Sequence, residues 1–282
     1  MNTVRYVHQV RVPNGFPTAD DFAFADGPLP SVRPGTVLVE NIYLSVDPYM
    51  RQMMDGGWDL HAPLEGRAVG RVLESGDPAF HVGQFVFHRE GWRTHALVDT
   101  ADPRLRVVEA FDGVPLSTHL SILGGTGLSA YVGLVKIAGL RAGESVFISA
   151  AAGGVGTAAG QLAKVLGAGR VIGSAGTAAK VRHLVDDLGF DAAFNYKDGP
   201  VADQLRAAAP DGIDVYLDNV GGDHLEAAID SLVEHGRIAW CGAIAQYHDA
   251  QPPPAPRNLF EINGKRLRME GFAVREHDHL IP

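Results

Sequence analysis

From Val4 to about Val108 the apolar residues come in short runs, VRYVHQV, TVLVENIYL, GRAVGRVLES, QFVFHR and RTHALV, rich in β-branched residues. Such runs predict strands, and turn pairs such as Pro34-Gly35, Gly56-Gly57 and Asp77-Pro78 divide them. This stretch reads as all-β, with a barrel-like or sandwich core. Near Leu116 the texture changes. Helix-like Ser117–Ala138 is followed by strand Val146–Ser149, helix Val155–Leu166, strand Arg170–Ser174 and helix Ala178–Leu188. Strand-like Ala192–Asn195, Asp214–Asp218, Gly236–Cys241 and Leu267–Val274 continue the series, interleaved with helix-like Ala202–Ala208 and Asp223–Val233. That alternation predicts an α/β fold: a doubly wound parallel sheet of Rossmann type over residues 117–282, behind a β-rich domain over residues 1–116. Its ligand crevice lies outside the carboxyl ends of the strands. The one biased segment is Pro252-Pro253-Pro254-Ala255-Pro256, readable as a stiff lid or as a connector.

The stretch SVFISAAAGGVG, Ser145 to Gly156, runs an apolar strand into a glycine-spaced turn that opens an Ala-rich helix. Backbone in such a turn can approach a pyrophosphate closely, and the unpaired amides of the helix then face its oxygens. Ala151, Gly153 and Gly156 take the fingerprint positions, alanine replacing the first glycine. Glycines also serve ordinary tight turns, so it is the strand-to-helix context that points to a dinucleotide. An NAD-binding sheet usually ends its second strand on a carboxylate for the ribose hydroxyls. Here that strand ends Ser174-Ala175-Gly176-Thr177 and the next charge is Lys180, which suits the 2′-phosphate of NADPH better. Taken alone, Lys180 reads equally well as a solvated lysine.

Composition narrows the partners. The chain has 282 residues, enough for two cores, with 46% apolar and 20% charged residues, an ordinary globular balance. A formal charge of −9 and the absence of a Lys/Arg cluster disfavour nucleic acid and leave a small molecule as the expected ligand. With Cys241 as the single cysteine there is no internal disulfide and no multi-cysteine zinc knuckle, so a reduced, cytoplasmic setting is expected. Among 12 histidines, His277 and His279 form a close pair, but beside Asp278 in a polar tail they read as solvated rather than as metal ligands. The N-terminal MNTVRYVHQV lacks a continuous apolar core, which argues against a signal peptide or spanning helix.

The strings LSVDPYMR (Leu44–Arg51), GGTGLSAYVGL (Gly124–Leu134), SAAAGGVG, LGFDAAFNYK (Leu188–Lys197), DNVGG (Asp218–Gly222), CGAIAQY (Cys241–Tyr247) and LRMEGF (Leu267–Phe272) occur in order along nearly the whole chain. Together they resemble the zinc-independent medium-chain dehydrogenase/reductases, within them the group of prostaglandin reductase, leukotriene B4 12-hydroxydehydrogenase and alkenal double-bond reductase. The resemblance implies a GroES-like catalytic domain followed by a Rossmann domain. It implies NADPH-dependent reduction of a carbon–carbon double bond conjugated to a carbonyl, with hydride reaching the β-carbon and charge gathering on the carbonyl oxygen. It also implies pairing as a homodimer through the edge of the Rossmann sheet.

Carried over position by position, the resemblance assigns Lys180 and Tyr196 to the 2′-phosphate end of the cofactor, and Gly153, Gly154 and Val155 to its pyrophosphate. Thr126, Ala151, Gly156, Gly176 and Asn219 fall on the same crevice. Cys241, Gly242 and Ala243 lie near the nicotinamide, Tyr247 reaches the nicotinamide ribose and the substrate oxygen, and Tyr49 lines the substrate side. A phenol suits that role, donating to a developing oxyanion while uncharged at neutral pH; each tyrosine also reads as a half-buried aromatic. Zinc-dependent relatives use a cysteine in the first domain, and this one has none, so zinc-polarised alcohol chemistry is not expected. Cys241, with no basic neighbour, reads as a packed thiol.

Two departures from the group stand out. Its members usually run on past the equivalent of Pro282, through a segment that returns to the β-rich domain. The stretch Met53 to Pro63 also looks short, and with it the loop around Trp58 at the expected pocket rim. A quinone reductase of the same superfamily and a non-catalytic NADPH-binding sensor are the other readings that the sequence leaves open.

Overall fold

A computed structural model describes residues 3–247 and 255–281, and the chain divides into two compact units, Met1–Ser121 and Ile122–Pro282. The triple proline Pro252-Pro253-Pro254 lies outside the described residues.

In the first unit β1 (Thr3–Gln9) and β2 (Phe22–Pro28) form an antiparallel ribbon. β3 (Thr36–Leu44) is followed by a single helical turn, α1 (Tyr49–Met53), and then by β4 (Ala68–Ser75), β5 (Phe85–His88), β6 (His95–Asp99) and the short β7 (Arg106–Val107). These five strands make an antiparallel sheet in the order β6-β3-β4-β5-β7. The ribbon joins it through backbone bonds from the Val7 amide to the Trp92 carbonyl and from the Thr94 amide to the Arg5 carbonyl, each 2.9 Å. Val37, Val39, Val72, Val86, Ala96 and Val98 fill the core, as the alternation in the runs requires. β2 was not legible because its FAFADGP face is largely exposed, Phe24 included, and so carries no inward stripe. In the loop around Trp58, the indole ring is buried with Met50, Met54 and Leu64.

The second unit is built on six parallel strands, β8 (Ser145–Ile148), β9 (Arg170–Ala175), β10 (Ala192–Asn195), β11 (Ile213–Asp218), β12 (Leu232–Trp240) and β13 (Arg268–Gly271), in the order β10-β9-β8-β11-β12-β13. This is the doubly wound order, with its switch point between β8 and β11. The helices are α2 (Gly125–Tyr131), α3 (Gly154–Val165), α4 (Ala178–Arg182), α5 (Val201–Ala208), α6 (Gly222–Ser231) and α7 (Phe260–Gly264). α2 and α3 share one apolar cluster with Val146, Ile148, Val171 and Leu217. α5 and α6 share the other with Phe147, Ile172, Phe194 and Tyr216. Strands covered on both faces explain the continuous apolar runs, each buried Val, Leu, Ile or Phe contributing about 1.5–3 kcal/mol.

Three expected boundaries shift. The helix expected from Ser117 is a tight turn over Leu116–Leu120; it stops at Ser121, whose ψ of −105° is not helical, and the true helix starts behind Gly124. The strand expected from Gly236 begins at Leu232 and so shortens the preceding helix, which ends at Ser231. The strand expected over Leu267–Val274 covers only Arg268–Gly271 and is followed by a turn of 3₁₀-helix, Val274–Leu280.

α3 lies so close to the sheet that a methyl on Gly160 would overlap the Phe190 ring, and one on Gly173 would stand 3.0 Å from it. Gly160→Ala is therefore expected to destabilise the protein by about 1–3 kcal/mol through overpacking. Phe190→Leu in the same chain should recover part of that loss; a double-mutant cycle in urea that shows no coupling would contradict the contact.

His88 is buried in the first unit, and burial pushes its imidazole down to about 3. The unfolded chain therefore takes up a proton below its ordinary value of 6.5 while the folded chain does not. Stability is complete above that value and falls as pH falls toward the folded one. The unfolding midpoint is expected to drop between pH ~6.5 and ~5, before most carboxylates titrate, and to drop less in His88→Phe.

Candidate active site

The glycine turn leaves β8 through Ser149 and Ala150, whose φ of +48° is uncommon for a residue with a side chain. The Ala151 amide then donates to the Ser174 carbonyl at 2.8 Å and the Gly153 amide to the Ala150 carbonyl at 2.9 Å. Those two amides are thus spent on the turn itself. The amides of Gly154, Val155 and Gly156 open α3, where no intrahelical acceptor exists. α3 has no side-chain cap and no acidic residue in its first turn, leaving its positive end open to an anion. A methyl on Gly156 would sit 2.5 Å from the Ala151 Cα, so the helix can enter at this angle only with glycine there. The alanine in the first fingerprint position is accommodated from the neighbouring strand: a methyl on Gly173 would lie 2.8 Å from the Ala151 Cβ. Thr126, in the first turn of α2, is also brought here, its Cγ2 2.9 Å from where a Gly154 methyl would stand.

At the ends of β9 and β10 a second group assembles. Thr177 caps α4, accepting from the Lys180 amide at 3.2 Å, and Lys180 is exposed with no carboxylate paired to it among the described residues. The Tyr196 amide donates to the Ala175 carbonyl at 3.1 Å, and a methyl on Gly176 would come within 3.1 Å of the Tyr196 ring. The phenol is 41% exposed, open enough to meet a ligand. Lys197, which the sequence reading passed over although it follows Tyr196 directly, holds its Nζ 5.8 Å from that ring.

The third group clips β8, β11 and β12 together. The Asn219 side-chain amide donates to the Ser149 carbonyl at 2.8 Å, and its backbone amide donates to Ser149 Oγ at 2.9 Å. Asp218 is fully buried, and its Oδ1 accepts from the Tyr216 hydroxyl at 2.7 Å and from the Gly221 amide at 2.8 Å. Burial raises its carboxyl above the ordinary value in spite of those donors. The Asp218 carbonyl accepts from the amides of Cys241 and Gly242 at 2.9 and 3.0 Å. Sequence reading missed Ser149 and Asp218, since the bonds that give them a role join strands far apart in the chain. Burial pushes the Cys241 thiol up to about 12, so it stays protonated and is a poor nucleophile. Tyr247 folds back over this turn, its hydroxyl accepting from the Ala243 amide at 3.5 Å and lying beside Gly242.

In the first unit Tyr49 begins α1. Its hydroxyl donates to Glu65 at 2.9 Å and accepts from Arg89 at 3.1 Å, and the Arg67 guanidinium lies 5.7 Å from its ring. Burial raises the phenol above its ordinary value. Among the described residues no group of His, Cys, Asp and Glu could hold a metal ion, and no helix is long and apolar enough to cross a membrane.

Residues 5–105 match the model of the N-terminal domain of oxidoreductase, and residues 154–280 match the model of the zinc-binding dehydrogenase. The chain is 43% identical to prostaglandin reductase 1 of Rattus norvegicus over 265 residues, covering 92% of this chain and 78% of that protein. It is 42% identical to the 2-alkenal reductase (NADP(+)-dependent) of Nicotiana tabacum, covering 87% of this chain and 73% of that protein. The structure of CurA from Vibrio vulnificus in complex with NADPH superposes with a TM-score of 0.86 at 33% identity, covering 96% of this chain and 82% of that one. The motif order, the six-stranded switch-point sheet and these relatives agree, and the chain belongs to the zinc-independent medium-chain dehydrogenase/reductases, in the group of the prostaglandin and alkenal reductases.

Proposed function

We propose that this protein reduces the carbon–carbon double bond of α,β-unsaturated aldehydes and ketones, using NADPH. The observation that carries the reading is the pairing of an uncapped α3 beneath the glycine turn with a β9 end that offers Gly176, Thr177 and Lys180 and no carboxylate. The names of the relatives, prostaglandin reductase and 2-alkenal reductase, support the substrate class.

In this reading Gly154, Val155 and Gly156 receive the pyrophosphate, and Lys180 with Tyr196 receives the 2′-phosphate. Thr126, Ala151, Gly153 and Gly176 shape the cradle. Asn219 and the Cys241–Gly242–Ala243 turn hold the nicotinamide half. Bound NADPH supplies a hydride to the β-carbon of the substrate. The remaining work is to orient the substrate, to meet the negative charge that develops on its carbonyl oxygen, and to admit a proton from solvent to the α-carbon, which completes the saturated carbonyl. The Tyr247 hydroxyl is assigned to that oxygen; it accepts from the Ala243 amide at 3.5 Å, a contact that uses a lone pair and leaves its own proton to donate. Tyr49 takes the substrate side, with Glu65 and Arg89 fixing its ring. The domain division after residue 116, a cytoplasmic setting and a homodimer paired along the exposed edge strand β13 belong to the same proposal.

Assays with NADPH against a 2-alkenal, a 2-alkenone and a simple quinone test the reading: the first two should turn over, and activity confined to the quinone would refute it. Lys180→Glu should raise KM for NADPH by about tenfold or more, through loss of a charge-assisted phosphate contact, and leave KM for NADH little changed. Equal effects on both cofactors would remove Lys180 from the phosphate site. Tyr247→Phe should lower kcat by roughly 10- to 100-fold with little change in NADPH binding, as expected for loss of one donor to a developing oxyanion. Unchanged kcat would make Tyr247 a packing residue.

A further inference from the structure

The α5/α6 face of the sheet carries a row of aromatic rings. Phe147 on β8 stacks on Phe194 of β10 at 5.8 Å and on Tyr216 of β11 at 5.0 Å. His224, in the first turn of α6, lies parallel to Phe147, with centroids 6.5 Å apart and an interplanar angle of 6°. From there it meets Tyr196 edge to face, at 5.4 Å and 70°. Only 6% of His224 is exposed, and neither ring nitrogen has a hydrogen-bond partner among the described residues.

What the ring does here is wall in Tyr196. The phenol is held between the His224 ring on one side and the Gly176 backbone on the other. With that wall removed, the Tyr196 side chain gains rotamers that carry its hydroxyl away from the end of β9.

We propose that His224 is a specificity-determining positioning residue: its ring, packed between Phe147 and Tyr196, aims the Tyr196 phenol at the 2′-phosphate and so sets the preference for NADPH over NADH. The inference rests on the reading above that the phosphate meets Lys180 and Tyr196. His224 itself does not touch the reacting atoms. Its effect is confined to the adenosine end of the cofactor, where NADPH and NADH differ.

The test measures KM for NADPH and for NADH with one 2-alkenal in wild type, His224→Ala, His224→Phe and Lys180→Ala. His224→Ala should raise KM for NADPH about fivefold, the scale of one aromatic pair, and change KM for NADH by less than about twofold. His224→Phe restores a flat ring against Tyr196 and should recover most of the NADPH preference, which a merely destabilised fold would not do. Equal KM changes for both cofactors in His224→Ala, or a His224→Phe no better than His224→Ala, overturn the proposal. If Lys180→Ala lowers the preference and His224→Ala does not, this inference fails and the phosphate site stands. If Lys180→Ala leaves the preference intact, the phosphate site itself is misplaced and the inference falls with it.

Discussion

The second unit depends on how closely α3 can approach the parallel sheet. That approach is set by absent side chains: Gly156 against the Ala151 backbone, and Gly160 and Gly173 against the Phe190 ring. Each removes a methyl that the packing cannot hold, and together they bring the open end of the helix down onto the turn after β8. A helix held further out would still fold, but its first amides would no longer face the space above the turn. The alanine in the first fingerprint position fits the same logic, since the space its methyl takes is released by Gly173 on the next strand.

A second constraint holds the carboxyl ends of the strands in register. Asp218 gathers the Tyr216 hydroxyl and the Gly221 amide on one buried oxygen, while its carbonyl receives Cys241 and Gly242. Asn219 adds the tie to Ser149. Parallel strands have no hairpins to fix their relative height, so side-chain bonds of this kind determine where the loops begin. The segments assigned to the cofactor start from this clip.

Electrostatics distinguishes the two ends of the crevice. The end of β9 offers hydroxyl and ammonium groups with no carboxylate, which favours an added phosphate. Around Asp218 and Cys241 burial instead keeps the thiol protonated, which removes a competing nucleophile. Tyr49 shows that a residue found by motif can have more partners than the motif implies: Glu65 and Arg89 hold its hydroxyl, and Arg67 lies against its ring.

Much of this was legible in the chain alone. The β-rich first half, the βαβ series, the glycine turn and the missing carboxylate after Ser174 all rest on local patterns, in which a few neighbouring residues carry their own signal. β2 escaped notice because its exposed face has no alternation, and the start of α2 because Ser121 breaks a stretch that reads as helical. Lys197 and His224 carry no local pattern that singles them out. Only the tertiary structure brings His224 of α6 against Tyr196 after β10, and Ser149 after β8 against Asn219 after β11. Those contacts join residues separated by tens of positions, and a one-dimensional pattern records which faces are apolar but not which faces meet.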